Sequence, residues 1–514
     1  MITAGSNPSA GATTRPARIP WRSVIVERTH DAGRSGGSPD PARTFPPFRF
    51  RRRVRNAVRR EAREMLRGGP PTVELMRPVG PDIPSDERAY LVLDLCLKVG
   101  EVLLSSGEAA VDARATMMRL AAACGLDTVE VDITFTSISM CCRRGKSAAP
   151  VTSMRLVRYR TTDLTRLALV TRIVDRVIAG EMGVSAADDA LAEAAAAPHP
   201  YPRWVATAGW AGLAAAVALL LGGAPVISLA AFVVTAFIDR VGRLLGRWGV
   251  APFFLQVVGG FTATVSTLGL FALGDLPAGT EPSLVIAAGI TVLLSGLSLM
   301  GTVQDAISGH VVTAAGRVVE IALLSAGLLA GVILGLRLAA WFGISLNAAV
   351  PVAADLTRFG VSASAAAAAS AMSALACYAP LRSLAAAAVA GGIGWSVYAA
   401  LTLFADFGPV VATGLAAVLV GLLTEVICRR TSLHRQVIIL SGIIPLLPGL
   451  TAYRGFFLLA SAHTQDVVAG MVDVTLALAI CLALAAGVTL GQFILRPRPA
   501  PEVPEPAPPS KRSS

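Results

Sequence analysis

Residues 204–222 read WVATAGWAGLAAAVALLLG, without a single charged side chain. A bilayer core of about 30 Å takes roughly 20 apolar residues of helix to cross, and in lipid the backbone must satisfy its own hydrogen bonds, so this stretch reads as a transmembrane helix. Segments of the same character follow at 224–238, 251–273, 283–303, 318–336, 361–379, 383–404, 409–427, 436–459 and 468–495, making ten between Trp204 and Leu495. Nothing comparable precedes Trp204. The whole chain is 54% apolar and 15% charged with a mean hydropathy of +0.62, too apolar for a soluble protein of 514 residues. The fold class is therefore an α-helical polytopic membrane protein with a separate N-terminal portion.

The net charge of +11 is unevenly placed. Phe45 to Arg67 holds nine arginines against two glutamates, within a Pro-, Gly- and Ser-rich arm over residues 1–85 that has no helical or strand period. Beside a bilayer, such a run is expected to face anionic lipid headgroups, and nucleic acid is not expected as a partner. Met65 and Met76 are alternative starts. Met1 to Pro8 has no apolar core of a signal peptide. Among the spans, Arg240, Arg243, Arg247, Arg317, Arg382, Arg429, Arg430 and Arg435 fall on one side, and Asp275, Glu281, Asp406 and Asp466 on the other. By the positive-inside rule both termini are cytoplasmic, in the cell (inner) membrane. The seven cysteines show no metal-ligand spacing and read as apolar filler. No cofactor and no metal are expected.

Residues 86–197 read as a small cytoplasmic α+β domain. Tyr90 to Leu104 fits an apolar helix stopped at Ser105-Ser106-Gly107, and Glu108 to Cys124 a second one. From Thr128 to Ile138 the period becomes two, with Val129, Val131, Ile133 and Phe135 on one face, and a second strand follows near Met154 to Tyr159. Helices at Asp163 to Ala179 and Ser185 to Ala197 lead to Pro198-His199-Pro200, a linker. His30, His199, His434 and His463 read as solvated. The tail 496–514 is Pro-rich and reads as disordered.

The ten spans divide into 204–338 and 361–495. Five is odd, so two such halves lie in opposite orientations, as two five-helix inverted repeats. The fourth spans share a short likeness, Leu294-Ser295-Gly296-Leu297 against Leu447-Pro448-Gly449-Leu450. In the ninth span, Pro445, Pro448 and Gly449 either break the helix and free backbone carbonyls for a polar solute, or merely kink it. Tyr453 and Arg454 follow within the same span, and an arginine at that depth is a candidate for a substrate carboxylate. Asp305, Glu320 and Asp473 are candidate proton-coupling acids, each of which also reads as a solvated loop-end acid, Asp305 and Glu320 in a pair with Arg317.

Taken in order, Val99-Gly100-Glu101-Val102-Leu103-Leu104-Ser105-Ser106-Gly107, Val131-Asp132-Ile133-Thr134, Val258-Gly259-Gly260-Phe261, Gln304-Asp305-Ala306-Ile307-Ser308-Gly309 and Pro445 through Gly455 resemble the threonine/serine exporters. The resemblance covers residues 90–495. It implies a secondary transporter that exports L-threonine and L-serine from the cytoplasm, driven by the proton motive force. Many relatives also carry Pro-Gly in the fourth span, where this chain has Ser295-Gly296. A homo-oligomer is left open. The alternative is a membrane-tethered hydrolase acting through residues 86–197, with Asp132 and Thr134 as its only suggestive pair. No Walker-type phosphate loop is present.

Overall fold

The computed structural model describes residues 86–143, 149–157, 163–272, 282–293, 296–342, 356–431, 433, 435–459 and 464–495. The Arg-rich arm, the Pro-rich tail, residues 144–148 and His30, His434 and His463 lie outside them.

Helices α1 (Asp86–Ser105) and α2 (Ala110–Ala123) are followed by strands β1 (Val129–Thr134), β2 (Ser137–Cys142) and β3 (Val151–Leu156), then α3 (Leu164–Ile178) and α4 (Val184–Ala196). The strands form one antiparallel sheet in the order β1-β2-β3, with Ile133 opposite Ile138 and Cys142 opposite Val151. Three strands stand where the periodicity predicts two. Alternation of apolar residues runs on through Ile138, but Phe135 takes a φ of 55° and the chain reverses there. Val129, Val131 and Ile133 are buried as expected, against Leu93, Leu97, Met117 and Met140. Tyr90 and Leu91, placed in the apolar helix from sequence, are exposed. They lie on the face of α1 turned away from the sheet.

The remaining chain forms α5 (Arg203–Leu220), α6 (Pro225–Arg247), α7 (Pro252–Ala272), α8 (Pro282–Leu293), α9 (Gly296–Ile307), α10 (Val311–Trp341), α11 (Phe359–Ala376), α12 (Leu381–Phe404), α13 (Pro409–Arg430), α14 (Arg435–Gly442), α15 (Gly449–Leu459) and α16 (Thr464–Leu495). Eight of these are long and apolar enough to cross a membrane among the described residues. A ninth span arises if residues 435–446 and 449–459, which meet at 52°, count as one. Helix α8 and helix α9 have 12 residues each. Several helices outrun their apolar cores: α6 continues past Ile238 to Arg247 because Asp239 and Arg243, four residues apart, pair along it.

Packing in the two halves follows one pattern. Helix α7 lies along α10 and α13 along α16, while α5 and α11 meet each other directly. Between apolar helices in lipid, close approach requires small residues. A Cβ on Gly331 would stand 2.0 Å from the Val257 carbonyl oxygen, and one on Gly491 2.2 Å from that of Val418. Gly331→Ala and Gly491→Ala are each expected to force the helices apart at about 1–3 kcal/mol. The check is a lower thermal midpoint and a smaller monodisperse peak in detergent.

Candidate functional site

The helix of the ninth span is interrupted around its prolines. Helix α14 ends at Gly442, a single turn of 3-10 helix covers Ile444–Leu446, and Leu447 is extended before α15 starts at Gly449. Pro445 and Pro448 have no N–H to give, so the helical ladder lapses around them. Gly449 sits against α8, where a Cβ would meet the Thr291 side chain at 2.5 Å. Thr291 lies two residues before the end of α8, and α9 begins at Gly296. The break of the ninth span thus meets α8 near its end.

Tyr453 is 3% exposed and packs in the apolar interior, 6.0 Å ring to ring from Phe457. Arg454 is joined to Asp473 of α16, Nε to Oδ2 at 3.4 Å. The structure thereby unites a residue predicted to hold substrate with one predicted to couple protons. The arginine remains 41% exposed at its side chain and the aspartate 19%.

Asp305 belongs to a different cluster and is not solvated. Its side chain is wholly buried, with Oδ2 2.7 Å from Arg317 Nη1, itself 7% exposed. Its Oδ1 accepts from the Ala110 backbone N–H at 2.7 Å, capping the start of α2 in the N-terminal domain. A carboxylate is favoured there by the exposed N–H groups of the helix. Glu320 lies half-buried on α10, three residues beyond Arg317.

Around Asp305 the N-terminal domain is seated on the helical bundle. Thr313 Oγ1 donates to the Ile133 carbonyl at 2.9 Å and accepts from Phe135 N at 3.1 Å, while the Phe135 ring rests on Gly316. This contact explains why Phe135 leaves the apolar face of β1. A second seat lies on the α11–α12 turn. Asp163 pairs with His199 Nδ1 at 2.8 Å, His199 stacks on Tyr378 with centroids 4.4 Å apart, and Leu164 N donates to the Cys377 carbonyl at 3.0 Å. Tyr201 also donates to the Ala379 carbonyl at 2.7 Å. His199 is exposed, as a solvated histidine would be, yet it also makes a docking contact. Both seats lie on one side of the bundle. On the other, Arg358 Nη1 donates to the Gly222 carbonyl at 2.8 Å.

Glu108, at the turn between α1 and α2, gave no signal in the sequence beyond a helix start. It is 9% exposed with Oε2 lacking a hydrogen bond, and neighbouring Gly107 shares a narrow polar crevice with Gln304, Gln436 and Gln492. Burial, helped by the nearby Asp112 charge and opposed by Arg119 and Arg435, pushes its carboxyl up to about 8. Arg435 is itself engaged with Glu425 at 2.9 Å. A carboxyl raised above its ordinary value of 4.5 favours the folded arrangement most at acid pH, and that contribution fades as pH rises through about 8. Hydrogen-exchange protection of residues 105–112 is accordingly expected to fall between about pH 5 and 8, and Glu108→Gln to flatten that fall.

Among the described residues no cluster of three or more His, Cys, Asp or Glu could hold a metal ion. Asp132 and Thr134 bond to each other at 3.1 Å on the exposed face of β1. A multi-pass helical bundle with a broken helix, an ion pair between two of its helices and a docked α+β domain is the architecture of a polytopic membrane protein, a class that includes transporters. Residues 94–339 match the profile of a family described as putative threonine/serine exporter, and residues 362–494 that of threonine/serine exporter, ThrE. The chain is 40% identical over 412 residues to a probable threonine/serine exporter of Mycobacterium tuberculosis, covering 79% of this chain and 77% of that one. It is 34% identical over 449 residues to a threonine/serine exporter of Corynebacterium glutamicum, covering 84% and 89%. No solved structure matches. The chain belongs to the threonine/serine exporter family. These relatives are exporters and not enzymes.

Proposed function

We propose that this protein exports L-threonine and L-serine from the cytoplasm in exchange for protons, by alternating access between two five-span halves of opposite orientation. The relatives' names support the substrates. The matching helix packing of the halves supports the repeat, with α8 and α9 counted as one span to make ten. The arginine-rich side of the bundle carries the N-terminal domain, which supports cytoplasmic placement of that domain and of both termini.

The observation that carries the mechanism is the Arg454–Asp473 pair beside the break at Pro445, Pro448 and Gly449. Arg454 offers a substrate carboxylate two parallel N–H donors. Once it turns to the substrate, Asp473 is released and receives the ammonium together with carbonyls freed at the break. A carboxylate that holds either an ammonium or a proton, never both, exchanges one for the other. Asp305 and Glu320 remain further coupling candidates, Asp305 with its charge already spent on Arg317 and Ala110.

Proteoliposomes loaded with labelled threonine test the reading. An imposed pH gradient should drive threonine uphill, and unlabelled serine should compete. Flux that equilibrates threonine but ignores the gradient would remove protons from the mechanism, and absence of any threonine flux would remove the substrate.

A further inference from the structure

A cleft of about 270 Å³ opens between α6, α7 and α8 in the first half. That is close to the lower end of small-molecule sites, about 300–1,000 Å³, and suits a solute of a few heavy atoms. None of the site residues predicted from sequence lines it. Its wall holds Thr235 and Asp239 of α6, Gln256 of α7 and Leu293, the last residue of α8.

Two polar atoms on this wall are buried without a hydrogen bond, Thr235 Oγ1 and Gln256 Oε1. Buried polar atoms are nearly always partnered, and these two belong to residues that line one cleft, which makes a polar occupant the candidate partner. The Gln256 amide is held in place from its other end, Nε2 donating to the Leu293 carbonyl at 3.3 Å. Asp239 is positioned by Thr207, whose Oγ1 donates at 2.7 Å, and by Arg243, at 3.0 Å from Nε. Arg243 retains 32% side-chain exposure, and its Nη1 reaches the Arg203 carbonyl at 3.4 Å. The charged end of the cleft thus adjoins the start of α5, on the side where the N-terminal domain sits.

We infer that this cleft is an amino-acid site that reads the substrate's hydroxyl. The Arg243 guanidinium and Asp239 carboxylate receive the substrate's carboxylate and ammonium, Gln256 Oε1 accepts from the substrate hydroxyl, and Thr235 Oγ1 donates to it. The inference rests on the exporter reading and adds to it a near-side site and a basis for choosing hydroxy amino acids. Valine has threonine's shape with a methyl in place of the hydroxyl. In this cleft it would leave both buried atoms unpartnered, and a site built to bond a hydroxyl rejects the analogue lacking it.

The test is equilibrium binding of labelled threonine to the purified full-length protein in detergent, competed by valine. Wild type is expected to prefer threonine by about tenfold or more for each hydrogen bond lost. Thr235→Val, which conserves volume, and Thr235→Val with Gln256→Leu should drive the threonine-to-valine ratio towards one, while Thr235→Ser keeps it. The same ratio in wild type and in Thr235→Val would overturn the inference, as would a wild type that binds both equally. Should the double variant fail to elute as a single species, the single isosteric variant decides. Threonine flux by wild type in proteoliposomes separates the two readings: flux with unaltered discrimination sinks this site alone, and no flux sinks the exporter reading.

Discussion

Arg454→Ala is expected to cut threonine export at least about tenfold while leaving the protein in the membrane at near-normal abundance. The reason for the split lies in exposure. Arg454 and Asp473 are 41% and 19% exposed at their side chains, so losing their pair is expected to cost folding less than losing an enclosed pair such as Asp305–Arg317. A substrate carboxylate brought out of water, by contrast, would lose its charge-assisted partner altogether. Arg454→Lys should recover only part of the rate, since a point charge lacks the planar fork. Asp473→Asn should keep binding of threonine measurable yet abolish the response to a pH gradient, because an amide cannot exchange a proton. Export rate and membrane abundance measured on the same cells decide the matter. Wild-type export by Arg454→Ala at normal abundance would take this arginine out of the site.

Asp305→Ala is expected to act in the opposite sense, first on structure. Its carboxylate is wholly buried and its partner Arg317 nearly so, and removing one member of such a pair strands the other charge at about 3–5 kcal/mol. Helix α2 also loses the acceptor at Ala110 N, about 1 kcal/mol more. The domain should release from the bundle, seen as faster tryptic cleavage of residues 86–197 and a drop of several degrees in thermal midpoint. Asp305→Asn keeps an acceptor for Ala110 but not the charge, and should fall between. An unchanged midpoint and cleavage pattern in Asp305→Ala would show that the seat at His199, Asp163 and Tyr378 holds the domain by itself.

The two clusters also show how far the sequence could be read. Asp305 and Arg317 are twelve residues apart and their pairing was legible as a turn between two helices. That the pair would be buried was not, because Ala110 and Thr313 reach it only when two distant segments close over the loop. Asp239 escaped notice for a simpler reason. A span drawn by hydropathy stops at its first charge, whereas α6 runs on through Asp239 and Arg243, which pair with each other while Asp239 also accepts from Thr207. Pro198-His199-Pro200 has the composition of a linker, and only the α11–α12 turn makes His199 a contact residue.

Membrane insertion and the division into an N-terminal α+β domain and a helical bundle were determined by the sequence alone. Both follow from local composition, since lipid demands apolar helix over a fixed length. The reversal at Phe135, the union of Arg454 with Asp473, the burial of Glu108 and the polar lining of the cleft beside Leu293 were decided only by tertiary structure. They depend on which helices lie side by side, and that choice is made by close packing over small residues such as Gly331 and Gly491, whose partners are far away in the chain.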